Sequence, residues 1–370
     1  MENVKIALVH DWLTGQRGGE RVLEVFCEIF PEAPIYTLFH FPGSQIKIIE
    51  EKSIRTSFLQ QLPLLKKKYR FYLPLYTLAI ELFDLQEYDL VLSSSHCVAK
   101  GIIPGPDALH ISYIHSPIRY AWNQYSAYFA AERLGVFSRF LIPPVIHKLR
   151  VWDVASSSRV DFFIANSHNV ARRISKHYRR QSDVIPPPVD AEFFVPGKTE
   201  GSYFLIVSAL VPYKRIDMAV ETFNRTGLPL KIVGQGPEYK MLKKKAGKNI
   251  EFMGYLRSFD LRLVYQGAKA LIMPGEEDFG INSLESQACG VPVIAYAKGG
   301  ALETVIPDRT GLLFPELSPA SLQEALDKFE NMQFNKSEIR SNALKFSKDK
   351  FREQIAFYIN EKWKEFKYKK

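Results

Sequence analysis

The sequence predicts an α/β fold made of two doubly wound domains, each with a parallel sheet covered by helices on both faces. Short apolar runs of strand length alternate with segments whose apolar residues recur at helical spacing. Continuous apolar strands between helices are typical of parallel sheets. A proline run at 186–188 interrupts this alternation, which then starts again. The 370 residues, 46% of them hydrophobic, suit two domains with cores of ordinary size.

The first half begins with a buried strand over 4–10, a glycine loop and a helix over 20–30. Further apolar runs of strand length follow at 88–95, 110–115 and 160–167. Ser167 is a predicted N-cap for a helix that starts at His168. We predict an N-terminal domain over 1–186.

The second half repeats the rhythm over 187–349, the predicted C-terminal domain. Strands are predicted at 203–210 and 230–236, and in "IEFMGYL", "AKALIMPG" and "GVPVIAYA". Helices are predicted in "KRIDMAVETFNRT", "GPEYKMLKKKAG", "SFDLRLVYQGA" and "INSLESQACG". The last segment, from Phe351 to Phe366, is amphipathic, and its pattern allows packing against either domain.

Composition narrows the function classes. Cys27, Cys97 and Cys289 lie far apart without a CxxC motif, and the eight histidines are scattered singly, so no structural metal is expected. No apolar run reaches membrane-spanning length, and the first residues lack a signal-peptide pattern. We therefore expect a cytoplasmic protein.

The net charge of +9 is partly clustered. The segment 64–76, "LLKKKYRFYLPLY", places four cations among leucines and aromatic residues. Such a pattern suits nucleic acid or an anionic membrane surface, and it also fits a solvated helix face. No nucleic-acid-binding motif accompanies it, which favours the membrane over nucleic acid.

The opening loop, "DWLTGQRGGER", carries Gly18 and Gly19 just before the first predicted helix. Glycines let a ligand approach the backbone, and a helix N-terminus attracts anions. The order differs from GxGxxG, so a dinucleotide fingerprint is weak, and a tight turn without ligand stays open. His115 ends the strand at 110–115, where either a structural role or a substrate contact is consistent with the pattern.

Two segments of the second half also suggest ligand contacts. Lys214 and Arg215 are predicted to open a helix, where cations oppose the macrodipole and a ligand would explain them. The alternative is a surface cation pair. Gly234 and Gly236 end a strand and would let a flat group such as a nucleobase approach the backbone.

The stretch "PGEEDFGINSLE" places two carboxylates across a loop-to-helix junction. Glu277 is predicted in the loop, and Glu285 about one turn into a helix that starts near Ile281. Two carboxylates can bind two sets of hydroxyls, while the helix N-terminus between them binds phosphate, which matches a nucleotide sugar. The rival reading is an acid–base pair for glycoside hydrolysis. It is disfavoured because several separate phosphate-type sites accompany the carboxylates.

These motifs together resemble the family 4 retaining glycosyltransferases of GT-B fold. The resemblance rests on "FGINSLESQACGVPVIA" with its two glutamates, and on "GGERVLEVF", "IHSPIRYAW", "ANSHNVARRI", "VIPPPVD", "LVPYKRIDMAVE", "IVGQGPE" and "GGALETV". It looks closest to bacterial mannosyltransferase-like enzymes of surface polysaccharide assembly. It implies two Rossmann-like domains facing a central cleft, with the C-terminal helix 350–370 crossing back to the N-terminal domain.

The resemblance also implies site roles. Glu285 would bind the ribose, Glu277 the transferred sugar and Lys214 the diphosphate. His115 would contact the donor sugar near the reacting carbon, so the implied catalytic set is His115, Glu277 and Lys214. The other implied donor-binding residues are Gly18, Gly19, Arg215, Gly234, Gly236, Phe279, Gly280, Ile281, Asn282 and Glu285.

One position departs from the family pattern. Many members carry an arginine five residues before the lysine, where this chain has Ala209, so Arg215 either takes over or the phosphate charge is offset less. The implied reaction moves a hexose, such as mannose from GDP-mannose, to a glycan or lipid-linked acceptor.

No DxD-type motif is evident, so neither metal nor other cofactor is expected. Front-face attack with retention is the implied mechanism. The alternatives are a sugar-nucleotide epimerase and an inactive binding protein. The expected partners are the donor, the acceptor and the inner face of an anionic membrane, without nucleic acid.

Overall fold

The computed structural model describes residues 4–16, 18–129, 136–198 and 200–368. The chain divides into two compact units, which we call unit 1 (Met1–Pro187 and Phe351–Lys370) and unit 2 (Pro188–Lys350). The division falls inside the proline run at 186–188. Both units are α/β with a wholly parallel sheet, so the predicted fold class is confirmed.

The described part of unit 1 contains a seven-stranded sheet in the order β3-β2-β1-β4-β5-β6-β7. The strands are β1 Ile6–His10, β2 Ile35–Thr37, β3 Ile54–Thr56, β4 Leu90–Ser95, β5 Leu109–Ile114, β6 Phe162–Ala165 and β7 Asp183–Val184. The strand order reverses between β1 and β4, and the register pairs His10 with Ser94 across that reversal. The loops that follow β1 and β4 therefore start side by side at the carboxyl edge of the sheet.

Helices flank this sheet. They are α1 Gly18–Ile29, α2 Lys47–Glu50, α3 Leu65–Lys68, α4 Leu73–Glu81, α5 Tyr125–Phe129, α6 Val136–Ser156 and α7 His168–Tyr178. Short 3-10 helices occupy Phe58–Gln61, Tyr69–Tyr72, Ala99–Gly101 and Ser157–Arg159. Ser167 caps α7 as predicted, because its hydroxyl accepts the Val170 N–H at 3.1 Å. The first helix starts earlier than predicted, so Gly18 and Gly19 are its first residues and not part of the loop.

The described part of unit 2 contains a six-stranded sheet in the order β10-β9-β8-β11-β12-β13. Its strands are β8 Tyr203–Val207, β9 Leu230–Val233, β10 Ile250–Gly254, β11 Ala268–Met273, β12 Val293–Tyr296 and β13 Gly311–Phe314. Its helices are the 3-10 turn Pro212–Lys214, α8 Ile216–Thr226, α9 Tyr239–Lys245, α10 Ser258–Gln266, α11 Ile281–Ala288, α12 Ala301–Thr304, α13 Pro319–Glu330 and α14 Lys336–Leu344. Strands β8 and β9 end at Val207 and Val233, short of the predicted 203–210 and 230–236. Backbone hydrogen bonds from Ser208 to Val233 and from Leu210 to Gln235 still join the segments that follow them.

Neighbouring residues on the strands contribute to cores on opposite faces of each sheet. In unit 1, Val91 lies in one apolar cluster, whereas Leu90 and Leu92 lie in another. In unit 2, Leu205 and Phe204 divide in the same way. This two-sided burial follows from the alternation of side chains along a strand, and it explains the continuous apolar runs of the sequence.

The last helix, α15 Lys348–Tyr368, packs on the core of unit 1. Phe351, Ile355 and Ile359 are at most 2% exposed. The Phe351 ring lies 5.9 Å from that of Tyr113, and Arg352 donates to Glu28 at 2.6 Å. The amphipathic pattern alone allowed this helix to pack against either domain. The structure confirms packing against the N-terminal domain. In the ranges that the structure covers, no helix has the length and apolarity needed to span a bilayer.

Candidate functional site

The candidate site of unit 2 lies where its strand order reverses, between β8 and β11. Ligands of doubly wound folds bind at such switch points, outside the carboxyl ends of the strands. Lys214 comes from the segment after β8, and Glu277 from the loop after β11. Their side chains form an ion pair and are 12% and 20% exposed. Two residues that the sequence singled out separately are thus in direct contact.

The local setting of Lys214 differs from the prediction. Lys214 ends the 3-10 turn, and Arg215, with φ +53°, precedes the first residue of α8. Arg215 is thus the N-cap of α8 and Lys214 directly precedes it, so both cations lie at the helix N-terminus but outside its first turn. The Arg215 Nε donates to Asp217 at 3.2 Å, which gives this guanidinium a local partner. Compensation for Ala209 by Arg215 stays a prediction.

Close backbone contacts fix the loop that carries Glu277. A Cβ on Gly275 would lie 2.7 Å from the Tyr213 carbonyl oxygen, so only glycine lets the segments after β8 and β11 meet. The Gly300 N–H donates to the Glu277 carbonyl at 2.9 Å. Backbone contacts therefore place Glu277 beside Lys214.

Helix α11 starts at Ile281, directly after Gly280, whose φ of +85° favours glycine. Glu285 lies about one turn into this helix, as predicted, and accepts a hydrogen bond from the Tyr265 hydroxyl at 2.9 Å. Burial, and then the Glu285 carboxylate, raise the pKa of Tyr265 well above its ordinary value. Tyr265 therefore keeps its proton and holds one carboxylate oxygen of Glu285 in place.

Four other predicted donor residues have contacts within the protein. The Asn282 side-chain amide donates to the Val207 carbonyl at 2.6 Å and ties α11 to the end of β8. A Cβ on Gly234 would lie 1.8 Å from the Ser208 oxygen, and one on Gly236 would lie 2.2 Å from the Leu210 oxygen. Packing between the loops after β8 and β9 thus explains both glycines, and their role in donor binding stays a prediction. Phe279 is 3% exposed and belongs to the core.

In unit 1, Asp11 connects the loops at the switch point between β1 and β4. This buried carboxylate accepts four backbone N–H groups, those of residues 96–99, at 2.6–3.0 Å. The His96 ring nitrogen Nδ1 lies 3.0 Å from the same carboxylate. Asp11 was not among the residues predicted from the sequence, although its position directly after the first strand was a signal for it.

Next to Asp11, His10 and His115 share one serine. The Ser94 Oγ lies 3.2 Å from His10 Nδ1 and 2.8 Å from His115 Nε2. Burial, and then His96, lower the pKa of His10 to about 4. Burial, and then His96 and His10, lower the pKa of His115 well below its ordinary value. Both rings are therefore neutral near pH 7.

Helix α1 covers these rings with its first turn. A Cβ on Gly19 would lie 3.5 Å from both His10 Cε1 and His115 Nε2. The structure thus brings together two residues that the sequence predicted separately, Gly19 and His115. Over the described ranges, no group of three or more His, Cys, Asp or Glu residues is arranged to hold a metal ion.

Two parallel-sheet units with charged residues at their switch points define a class of two-domain α/β proteins to which the GT-B glycosyltransferases belong. Residues 189–346, which lie within unit 2, match the family model "Glycosyl transferases group 1". This part of the chain is therefore similar to the group 1 glycosyltransferases.

Individual relatives agree with this assignment. An uncharacterized glycosyltransferase of Methanocaldococcus jannaschii is 29% identical over 52% of this chain and 56% of its own length. A GDP-mannose-dependent phosphatidylinositol monomannoside mannosyltransferase of Corynebacterium glutamicum is 36% identical over 32% of this chain and 35% of its own. The chain spans about half the length of the first curated relatives that it matches.

A solved structure extends the likeness in fold to both units. The Anabaena protein HepE, in complex with UDP and glucose, superposes with a TM-score of 0.71 at 15% identity. The match covers 97% of this chain and all of that one. At this identity the match shows the fold alone, which confirms GT-B.

Proposed function

We propose that the chain is a retaining glycosyltransferase that moves a hexose from a nucleotide sugar to a glycan or lipid-linked acceptor. The observation that carries the proposal is the contact of Lys214 with Glu277 at the unit 2 switch point. Glu285 lies on the helix that follows the same loop. A cation for a diphosphate, with carboxylates for two sets of hydroxyls, matches the groups of a nucleotide sugar.

In this proposal, Lys214 and the first N–H groups of α11 stabilise the charge of the leaving diphosphate. Glu285 binds the ribose, and Glu277 binds hydroxyls of the transferred sugar. In unit 1, His115 is proposed to contact a sugar hydroxyl. The bond from the anomeric carbon to the phosphate oxygen breaks, and the acceptor oxygen bonds to that carbon on the same face. The departing phosphate oxygen takes the acceptor's proton.

The donor proposed first is GDP-mannose. The Corynebacterium relative is named as GDP-mannose-dependent, whereas the Anabaena structure contains UDP. Both bases therefore belong in the first experiment.

The test is thermal unfolding of the full chain with GDP, UDP, ADP and their hexose conjugates. A ligand at 100 times its Kd stabilises the folded state by about 2.7 kcal/mol. We expect one nucleoside diphosphate to raise the Tm of the wild type, and Glu285→Ala to lose that rise. Glu324→Ala, an exposed glutamate of the same unit on α13, is the matched control and should keep it. Absence of any shift across the panel would contradict the proposed donor site.

Product analysis tests the reaction itself. Retention predicts that the new glycosidic bond has the anomeric configuration of the donor, read from one-bond C–H couplings by NMR. An inverted product would exclude the front-face mechanism. Conversion of the donor sugar without any acceptor would favour the epimerase, and donor binding without turnover the inactive binding protein.

We also propose peripheral contact with an anionic membrane through a basic face of unit 1. We define the basic face as the exposed side chains of the α3–α4 region, namely Leu64, Lys66, Lys67, Lys68, Arg70, Phe71, Leu75, Leu78 and Leu82. Phe71 is 79% exposed and Leu82 64%, so apolar side chains reach solvent beside the lysines. Cations attract anionic headgroups, and neighbouring apolar side chains can enter the acyl boundary.

Vesicle sedimentation tests this contact. Replacement of Lys66, Lys67 and Lys68 by Glu should abolish binding to phosphatidylglycerol-containing vesicles. The same change at Lys243, Lys244 and Lys245, an exposed triplet on α9 of unit 2, should leave binding unchanged. Equal loss of vesicle binding in both variants would show that net charge alone explains the binding. That result would contradict a specific membrane-binding face.

A further inference from the structure

The two histidines bridged by Ser94 can share protons in only two ways while both are neutral. A serine hydroxyl donates one hydrogen bond and can accept two. Ser94 is fully buried, and among the described residues its Oγ contacts only these two rings, so its proton must go to one of them. That ring accepts, and the other ring donates to the Ser94 oxygen. In the first arrangement, His10 donates through Nδ1 and His115 accepts at Nε2. In the second arrangement, His115 donates through Nε2–H and His10 accepts at Nδ1. The two arrangements leave opposite groups on the outer nitrogens of the rings.

Glu20 distinguishes the two arrangements. Its Oε1 lies 4.0 Å from His10 Nε2, a fully buried nitrogen without a hydrogen-bond partner in the described part of the chain. The first arrangement would aim a nitrogen lone pair at this carboxylate, and the second aims an N–H at it. Electrostatic interactions are strong in a buried setting of low dielectric, so the second arrangement is favoured.

The other titratable groups near the rings, His96 and Asp11, do not change which arrangement is favoured. His96 faces both rings, with its centroid 6.0 Å from that of His10 and 6.4 Å from that of His115. Its Nδ1 is directed to the Asp11 carboxylate at 3.0 Å. Asp11 itself accepts four backbone N–H groups, which offset its charge.

We infer that Glu20, His10 and Ser94 are positioning residues that hold His115 as the Nε2–H tautomer. His115 Nδ1, which has no hydrogen-bond partner among the described residues, is then a fixed acceptor. An acceptor binds a hydroxyl and repels a phosphate oxygen. Resting on the proposed function, this suits His115 to a sugar hydroxyl and not to a phosphate oxygen.

Nitrogen-15 NMR of the full chain with labelled histidine tests the tautomer without any turnover. The His115 signals are identified by their loss in His115→Gln. Near pH 7 we expect a protonated Nε2 and a pyridine-type Nδ1 at His115. A protonated Nδ1, or averaged shifts from a mixture of tautomers, would overturn the inference.

Two serines of strand β4 provide a matched pair of variants. Ser94→Ala removes the bridge, so we expect the wild-type tautomer signature of His115 to change to averaged shifts. Ser93→Ala is equally buried, but the Ser93 hydroxyl contacts His110 and Ser112, at 2.9 and 2.7 Å. It should leave His115 unchanged, and an unchanged His115 in Ser94→Ala would contradict the bridge.

Glu20→Gln tests the origin of the preference. It keeps the shape of the side chain and removes its charge, so both tautomers of His115 should become populated. A wild-type tautomer in this variant would overturn the role of Glu20. None of these NMR measurements needs a donor, so they test the tautomer even if the chain proves not to be a transferase. Conversely, a wrong tautomer prediction would leave the thermal-unfolding test of donor binding unaffected.

Discussion

Lys214 and Glu277 form an ion pair, which has a consequence for donor binding. A diphosphate that binds Lys214 must compete with the carboxylate of Glu277 and also lies near its negative charge. A sugar attached to that diphosphate would instead offer hydroxyls to the carboxylate. Glu277 is thus expected to act against the free diphosphate and in favour of the sugar-bearing donor.

Glu277→Gln should therefore tighten binding of the nucleoside diphosphate while it lowers turnover. Loss of one competing charge contact predicts roughly 3–10-fold tighter binding, in line with the 1 kcal/mol scale of partly exposed pairs. Lys214→Ala should weaken the same binding. Isothermal titration calorimetry with the diphosphate measures both, and weaker binding to Glu277→Gln would contradict the competition.

The hydrogen bond from Tyr265 to Glu285 gives a second prediction at the residue scale. Tyr265→Phe removes the hydroxyl that holds Glu285, and we expect the free energy of unfolding to fall by about 0.5–1.5 kcal/mol. Affinity for the proposed nucleotide-sugar donor should fall as well, because Glu285 is no longer held. Tyr255→Phe, whose side chain in the same unit is 65% exposed, should change neither quantity. Full donor affinity in Tyr265→Phe would show that Glu285 needs no orientation.

At the scale of elements, two helices position the functional residues in different ways. Helix α11 carries Glu285 and is fixed by Asn282 to the strand beside the switch point. Helix α15 contributes none of the predicted site residues. It buries Phe351, Ile355 and Ile359 in the core under strand β5, the strand that His115 directly follows. We therefore expect α15 to contribute to the unfolding free energy of unit 1.

Ile355→Ala should lower the unfolding free energy of unit 1 by about 2–5 kcal/mol, as large-to-small changes at fully buried sites do. Phe357→Ala on the same helix should be nearly neutral, because that side chain is 70% exposed. Urea unfolding followed by tryptophan fluorescence reports on unit 1 selectively. All four tryptophans, Trp12, Trp122, Trp152 and Trp363, lie in that unit. Equal losses in both variants would contradict the docking of α15.

At the scale of the whole molecule, buried neutral histidines make unit 1 sensitive to acid. Burial lowers the pKa of His10 and of His110 to about 4. In the unfolded chain a histidine has a pKa of about 6.5. Between these values the unfolded state binds more protons, so stability is fully present above about pH 6.5 and falls as the pH drops toward 4.

Each of these histidines should cost about 3 kcal/mol of unit 1 stability between pH 7 and pH 4. His110→Gln should therefore reduce the pH slope of the unfolding free energy by up to about 1.4 kcal/mol per pH unit. His147→Gln, at an exposed position of α6, should keep the wild-type slope. Urea titrations from pH 4 to 7, again with tryptophan fluorescence, measure the slopes. An unchanged slope in His110→Gln would show that His110 is protonated in the folded state.

Local patterns in the sequence determined the two parallel sheets, the cap at Ser167 and the start of α11 between Glu277 and Glu285. They did so because apolar periodicity and glycine position act over a few residues. The tertiary structure alone decided which loops meet: Lys214 with Glu277, Asp11 with the N–H groups of 96–99, and His10 with His115 through Ser94. These contacts depend on strand order, which places β8 beside β11 and β1 beside β4. Strand order follows from packing of the whole domain, and no short stretch of sequence contains it.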